Sequence, residues 1–349
     1  MNNLRLISVF VLLFFWSCHD DTVVTCDHLN NHLVDHLDFP CGVVTEVNLV
    51  DQNGPYRDIV MDQFNSVTAE NIMKPDYLHP AEGVYYWADA DRLADFCLEN
   101  GKRLHGHTLI WHLQLPDWIT YYEGSMEDWD RLLKDHIYQI VGRYKGVVAS
   151  WDVVNEAFND DGTIRNSVWK QHLGPGYIEK AFQYAHEADP DAKLFYNDYS
   201  IALNPAKRKA IIDYMNSLKA KGIPIHGIGL QMHIFNGFPE DLEITRAIDD
   251  VWKNDYLVHI SELDVSVNPL SREMPFAPEN ELNRQAERYL HVFRTYNQIP
   301  DKFKFGITVW GVSDRESWIP YFFNRDDYPL LFDDQYLPKP AFCKLISNL

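Results

Sequence analysis

Basic residues are in short supply in this chain. Against 51 Asp and Glu there are 31 Lys and Arg, a formal net charge of −20. Such a surface repels phosphate, which excludes nucleic acid as a partner. Cysteine is scarcer still, at 5 in 349 residues, with no CxxC and no Cys/His spacing of a zinc site. Also lacking are a G-x-G-x-x-G after the first strand, an HExxH, a GxSxG elbow and a Ser-His-Asp order. Their absence argues against dinucleotide binding, zinc proteolysis and serine-type acyl transfer. Low complexity and long linkers are missing too, and 46% hydrophobic residues suffice for a large core, so disorder is excluded.

The longest apolar run, Leu6 to Trp16, follows a lone Arg5 and precedes Ser17 and Cys18. It is too short to cross a bilayer comfortably and reads as an export signal over residues 1–18. Cys18 resembles the lipidated cysteine of bacterial lipoproteins, with ordinary signal cleavage as the alternative. The expectation is an exported protein whose membrane contact runs only through that lipid, with residues 19–27 as a short leader and 28–349 as one domain, a monomer. Export permits disulfides. Cys26 and Cys41 are near enough in sequence to pair, while Cys97 and Cys343 read as inert thiols in helices. His28, His32 and His36 recur every fourth residue. Leu29, Leu33 and Leu37 share the spacing, so an amphipathic helix explains the pattern more simply than a metal site.

Beyond residue 40, β-rich runs alternate with helical patterns. Strands are expected at Gly42–Asn48, Ser66–Asn71, Arg103–Ile110, Val147–Asn155, Leu194–Asp198, Gly227–His233, Leu257–Asp264 and Phe305–Trp310. Eight alternations in one domain are what an α/β (β/α)8 TIM barrel requires, and a doubly wound sheet is the runner-up. Active sites of such barrels lie at the C-terminal strand ends, and polar residues collect there: Glu70, Asn71 and Lys74; His105, His107, Trp111 and His112; Asn155 and Glu156; Asn197 and Asp198; Gln231 and His233; Glu262 and Asp264; Trp310, Asp314 and Trp318. Residues two apart on a strand share a face, so Glu262 and Asp264 point together. Asn155 and Glu156 are adjacent and reach one pocket only if the strand ends or bulges there. Indoles with amides and carboxylates suit a sugar, whose faces stack and whose hydroxyls pair. Glu156 and Glu262, on the fourth and seventh strands, supply the two carboxyls that glycoside hydrolysis needs.

Seven motifs in order, TAENIMKPD (68–76), HGHTLIWH (105–112), WDVVNEAF (151–158), YNDY (196–199), GIGLQMH (227–233), SELDV (261–265) and WGVSDRESW (310–318), resemble those of the glycoside hydrolase family 10 endo-β-1,4-xylanases. The resemblance implies retaining hydrolysis of β-1,4-xylan without a cofactor. It implies Glu156 as acid/base, Glu262 as nucleophile, Asn155 as the contact to the sugar 2-hydroxyl, and His233 with Asp264 behind the nucleophile. Glu70, Asn71, Lys74, His107, Trp111, Gln231, Trp310 and Trp318 match glycone-side contacts. Two departures stand out: Leu113, where many relatives carry a small polar residue, and the aromatic, charged segment 319–328. A mannanase or cellulase of the same chemistry, and a non-catalytic glycan-binding protein, are the alternatives.

Overall fold

β-branched and aromatic runs, bounded by glycine and polar turns, form the wall of a closed barrel. A computed structural model describes Cys26 and residues 28–349; the export signal and Cys18 lie outside these residues. The strands are β1 (Cys41–Thr45), β2 (Ser66–Ala69), β3 (Arg103–Gly106), β4 (Val148–Asn155), β5 (Lys193–Asp198), β6 (Gly227–Leu230), β7 (His233–Phe235), β8 (Leu257–Ser266) and β9 (Lys304–Val309). Pairing is parallel throughout. The ring runs from β1 to β6, passes to β8 and β9, and closes as Gly42 of β1 meets Thr308 of β9. β8 and β9 are thus the seventh and eighth barrel strands.

The expected strand Gly227–His233 is a correction. The sixth barrel strand breaks at Gln231–Met232, where Met232 takes φ 58°. It resumes as β7, with His233 opposite Asp264 of β8. The left-handed residue re-aims the chain, which an unbroken strand could not do.

Helices wrap the wall because each has one apolar stripe. The helix Met126–Arg143 buries Trp129, Leu133, Ile137 and Ile140 and begins at a Ser125–Asp128 capping box. Gly101, Gly146 and Gly222 have φ of 62°, 76° and 83° just past helix ends, the left-handed caps expected of them.

Two expectations near the N-terminus fail. The histidine-spaced helix does not form: only a 3-10 turn, Leu33–His36, appears, so His28, His32 and His36 share no helical face. Leu33 alone of the three leucines is fully buried, and its N–H is taken by Gln63 Oε1 at 2.8 Å. The cysteine pairing is also different. Cys41 is buried in β1 and unpaired, whereas Cys26 is bonded to Cys343 on the helix Pro340–Asn348, with Cα atoms 5.3 Å apart. Sequence proximity favoured Cys41, but the fold packs the N-terminal segment against the last helix, where His28 meets Phe332. Burial pushes the Cys97 thiol up to about 12, which leaves it unreactive.

The bridge spans 317 positions. Reduction, or Cys343→Ser, should lower unfolding free energy by about 2–5 kcal/mol, since the loop it closes is very long. Urea unfolding with and without dithiothreitol checks this; identical curves would mean that the bond does not form in solution.

Candidate active site

The strand end at Asn155 and Glu156 shows how adjacent residues come to share a pocket. The register between β4 and β5 slips between Asp152 and Val154, and β4 stops at Asn155. Glu156 then adopts φ 54°. Such a conformation is unfavourable for a residue with a long side chain and tends to occur where geometry serves a function. It is held on both sides. Glu156 N–H donates to the Asn197 carbonyl at 2.9 Å, and Ala157 N–H to the Tyr196 hydroxyl at 3.0 Å. Below, Tyr196 is hydrogen-bonded to Asp198, which pairs with the fully buried Lys207 at 2.8 Å.

Glu262 sits on β8, only 5% exposed. Its Oε1 accepts from Asn197 Nδ2 at 2.7 Å and its Oε2 from His233 Nε2 at 3.2 Å. The other nitrogen of His233 donates to Asp264 Oδ2 at 2.8 Å, and Trp318 Nε1 donates to the same oxygen at 2.9 Å. Burial disfavours a charged imidazole, but Asp264 and then Glu262 overrule it and push His233 up to about 10. It is therefore an imidazolium with both N–H groups in use. For Glu262, burial would raise the carboxyl; the bond from His233 and the charges of His107 and His233, with Asn197, prevail and hold it below its ordinary value.

The two glutamates are joined through amides. Gln231 Nε2 donates to Glu156 Oε1 at 3.0 Å and to Asn155 Oδ1 at 3.3 Å. Asn197 Nδ2 donates to Asn155 Oδ1 at 3.1 Å as well as to Glu262. His112 Nδ1 lies 4.0 Å from Glu156 Oε2, and burial, with the charges of Arg165 and Lys207, lowers that histidine to about 4. Glu156 thus has a neutral imidazole beside it, Glu262 a charged one.

On the other wall, Asn71 donates to Glu46 Oε1 at 2.8 Å and accepts from Lys74 Nζ at 3.1 Å. Lys74 lies over the Trp111 ring, 5.3 Å from its centre. Burial lowers the Lys74 ammonium despite Glu262, Glu70 and Asp76 nearby. Burial and the Glu46 charge raise Glu70 to about 7. His107 donates to Asp152 at 2.8 Å and meets Trp310 edge-on at 5.5 Å. Trp111 and Trp318 are partly exposed, Trp310 is buried between the His107 and His233 rings, and Trp318 lies 5.0 Å from the His233 ring. All thirteen catalytic, supporting and sugar-contact candidates read from the sequence fall in these linked groups at one mouth of the barrel. Leu113 is half exposed, and the next residue, Gln114, reaches Asn71 Oδ1 at 3.4 Å. Segment 319–328 begins inside a short helix, Trp318–Phe323, turned off by Asn324 at φ 48°.

Sequence reasoning missed Asn197 as the bridge between Asn155 and Glu262, and it missed Glu46. Asn197 was visible as a polar strand end; its role needs the neighbouring strands in place. Glu46 falls inside the expected strand Gly42–Asn48 and reads as part of the wall, whereas β1 ends at Thr45 and Glu46 caps the short helix Val47–Val50.

A model of the glycosyl hydrolase family 10 matches residues 29–348. The chain belongs to this family. It is 41% identical over 303 residues to a β-1,4-xylanase of Dictyoglomus thermophilum, covering 84% of each chain. It is also 41% identical to an endo-1,4-β-xylanase of Geobacillus stearothermophilus, covering 83% of this chain and 91% of that one. The structure of a xylanase from Thermotoga petrophila in complex with xylobiose superposes with a TM-score of 0.84 at 38% identity, covering 90% of this family member and 96% of the other chain.

Two outcomes follow from this geometry. A raised histidine stabilises the fold fully below its ordinary value of 6.5 and ceases to do so as pH climbs through about 10. Asp264→Asn should therefore cost most stability below pH 6.5, the gap from wild type narrowing towards pH 10; urea unfolding across that range reads it, and a flat gap would deny the imidazolium. Gly229 lies under Asn197, where an added Cβ would sit 2.2 Å from its Oδ1. Gly229→Ala should destabilise by about 1–3 kcal/mol through overpacking and lower turnover by displacing the amide bridge, whereas normal turnover would show the bridge to be dispensable.

Proposed function

We propose that the protein is an endo-1,4-β-xylanase that cleaves internal bonds of xylan and xylo-oligosaccharides by retaining double displacement. The observation that carries this reading is a pair of carboxyls in one barrel mouth with opposite surroundings: Glu262 is buried and held ionised by an imidazolium, and Glu156 stands at the rim beside a neutral one. Glu262 attacks the anomeric carbon while Glu156 protonates the departing oxygen; water, deprotonated by Glu156, then releases the sugar. Asn155, held by Asn197 and Gln231, is placed for the 2-hydroxyl. Lys74, Asn71, Glu70, His107 and Gln231 offer donors and acceptors to hydroxyls, and Trp111, Trp310 and Trp318 offer ring faces. The relatives named as xylanases, one of them holding xylobiose, support xylan over other β-1,4-glycans. We further propose export with a lipid at Cys18. The Cys26–Cys343 disulfide supports an oxidising compartment.

Anomeric proton NMR during early xylan hydrolysis tests the mechanism. The β-anomer should appear first, and Glu262→Ala should be inactive; α-anomer first would displace Glu262 as nucleophile. Glu156→Ala should lose about 10²–10⁴-fold on xylan yet retain the first step on activated aryl glycosides. An equal loss on both would remove its acid role.

A further inference from the structure

The chain leaves Glu156 as a tight hairpin, and Arg165, which lies outside all seven motifs, ties that hairpin back onto Glu156. Gly162, at φ 80°, makes the turn, and its N–H donates to the Asn159 carbonyl at 2.9 Å. Asn159 N–H donates to the Thr163 carbonyl at 2.8 Å, and Phe158 bridges Ile164. Arg165 N–H then donates to the Ala157 carbonyl at 2.7 Å, which returns Arg165 to the start of the hairpin. Its side chain continues the return. Nε donates to the Glu156 carbonyl at 3.0 Å and Nη2 to the Phe158 carbonyl at 3.2 Å. The same Nη2 donates to the Tyr199 hydroxyl at 2.9 Å.

Tyr199 is itself fixed. Its N–H donates to Asp198 Oδ1 at 2.9 Å, and Lys207 Nζ lies 3.4 Å from the centre of its ring. Asp198 and Lys207 are the buried pair beneath Tyr196. The end of β5 therefore grips the left-handed peptide of Glu156 from both sides. Asn197 and Tyr196 accept from the N–H groups of Glu156 and Ala157, while Tyr199 holds the guanidinium that serves the Glu156 carbonyl. No other group among the described residues donates to that carbonyl. A rigid, planar fork of donors suits two carbonyls and a phenol together, which an ammonium does not. A long side chain in this region of φ persists only where its surroundings over-determine it, and the peptide sets the direction in which the carboxyl points. Arg165 has a second effect. After burial, its charge is the largest influence that keeps His112 neutral. A charged imidazole 4.0 Å from Glu156 Oε2 would favour the carboxylate over the acid.

We propose that Arg165 is a positioning residue for the acid/base: it holds the Glu156 peptide in its left-handed conformation, so that the carboxyl faces the oxygen it must protonate, and does not itself touch substrate. The role rests on the xylanase reading, in which Glu156 is the acid.

A comparison of leaving groups tests it. Arg165→Met keeps much of the apolar length and removes every donor. Its kcat/KM on xylohexaose should fall about 10²-fold. Its kcat/KM on a dinitrophenyl β-xylobioside, whose leaving group departs without a proton, should stay at the wild-type value. Arg165→Lys, which keeps the charge and one donor group, should show a smaller loss, again on xylohexaose alone. Circular dichroism establishes that each variant is folded, and if Arg165→Met is not, Arg165→Lys carries the same comparison. A folded variant that loses activity on both substrates alike, or on neither, overturns the role of Arg165 and leaves the xylanase reading intact. Wild type that cleaves neither substrate overturns both.

Discussion

Glu262 is a carboxylate placed where burial alone would neutralise it, and a neutral carboxyl is a poor nucleophile. Holding it ionised makes demands that spread through the barrel. The imidazolium of His233 needs a second anion to stay charged, and Asp264, two residues along the same strand, supplies it. His233 reaches both only because the sixth barrel strand breaks at Met232 and resumes. Trp318 closes the far side of Asp264 with its indole N–H. Removing one member leaves a charge buried without its partner, which is far costlier than the net worth of the pair.

The same logic recurs one layer deeper with the opposite purpose. Asp152 lies at the bottom of the mouth, between His105 at 3.1 Å and His107 at 2.8 Å, and these two histidines outweigh burial and hold it well below the usual carboxylate range. Its charge fixes His107 beneath Trp310 and does not meet solvent. Glu70 has no cation bonded to it among the described residues, so burial, and then the like charge of Glu46, raise it to about 7. Three carboxyls in one barrel thus differ because their partners differ.

The barrel was legible from alternation, since eight β-rich runs followed by amphipathic helices admit few architectures. The polar residues at the strand ends were legible for the same reason: a stability-only wall has no use for them. What escaped notice depended on contacts between strands. The bridging amide of Asn197 and the acceptor Glu46 have meaning only beside Asn155, Glu262 and Asn71. The break at Met232 left no glycine or proline to mark it. The disulfide was misread because sequence distance says little about cysteines when the two ends of a chain pack together.

That last feature changes how the molecule carries load. With Cys26 bonded to Cys343, the barrel is a ring of chain rather than a thread with two free ends. Tension applied ahead of Cys26 divides between β1 and the final helix, which must then give way together. The first strand therefore cannot be peeled off alone, and a pull that would unzip an open barrel must shear two elements in parallel.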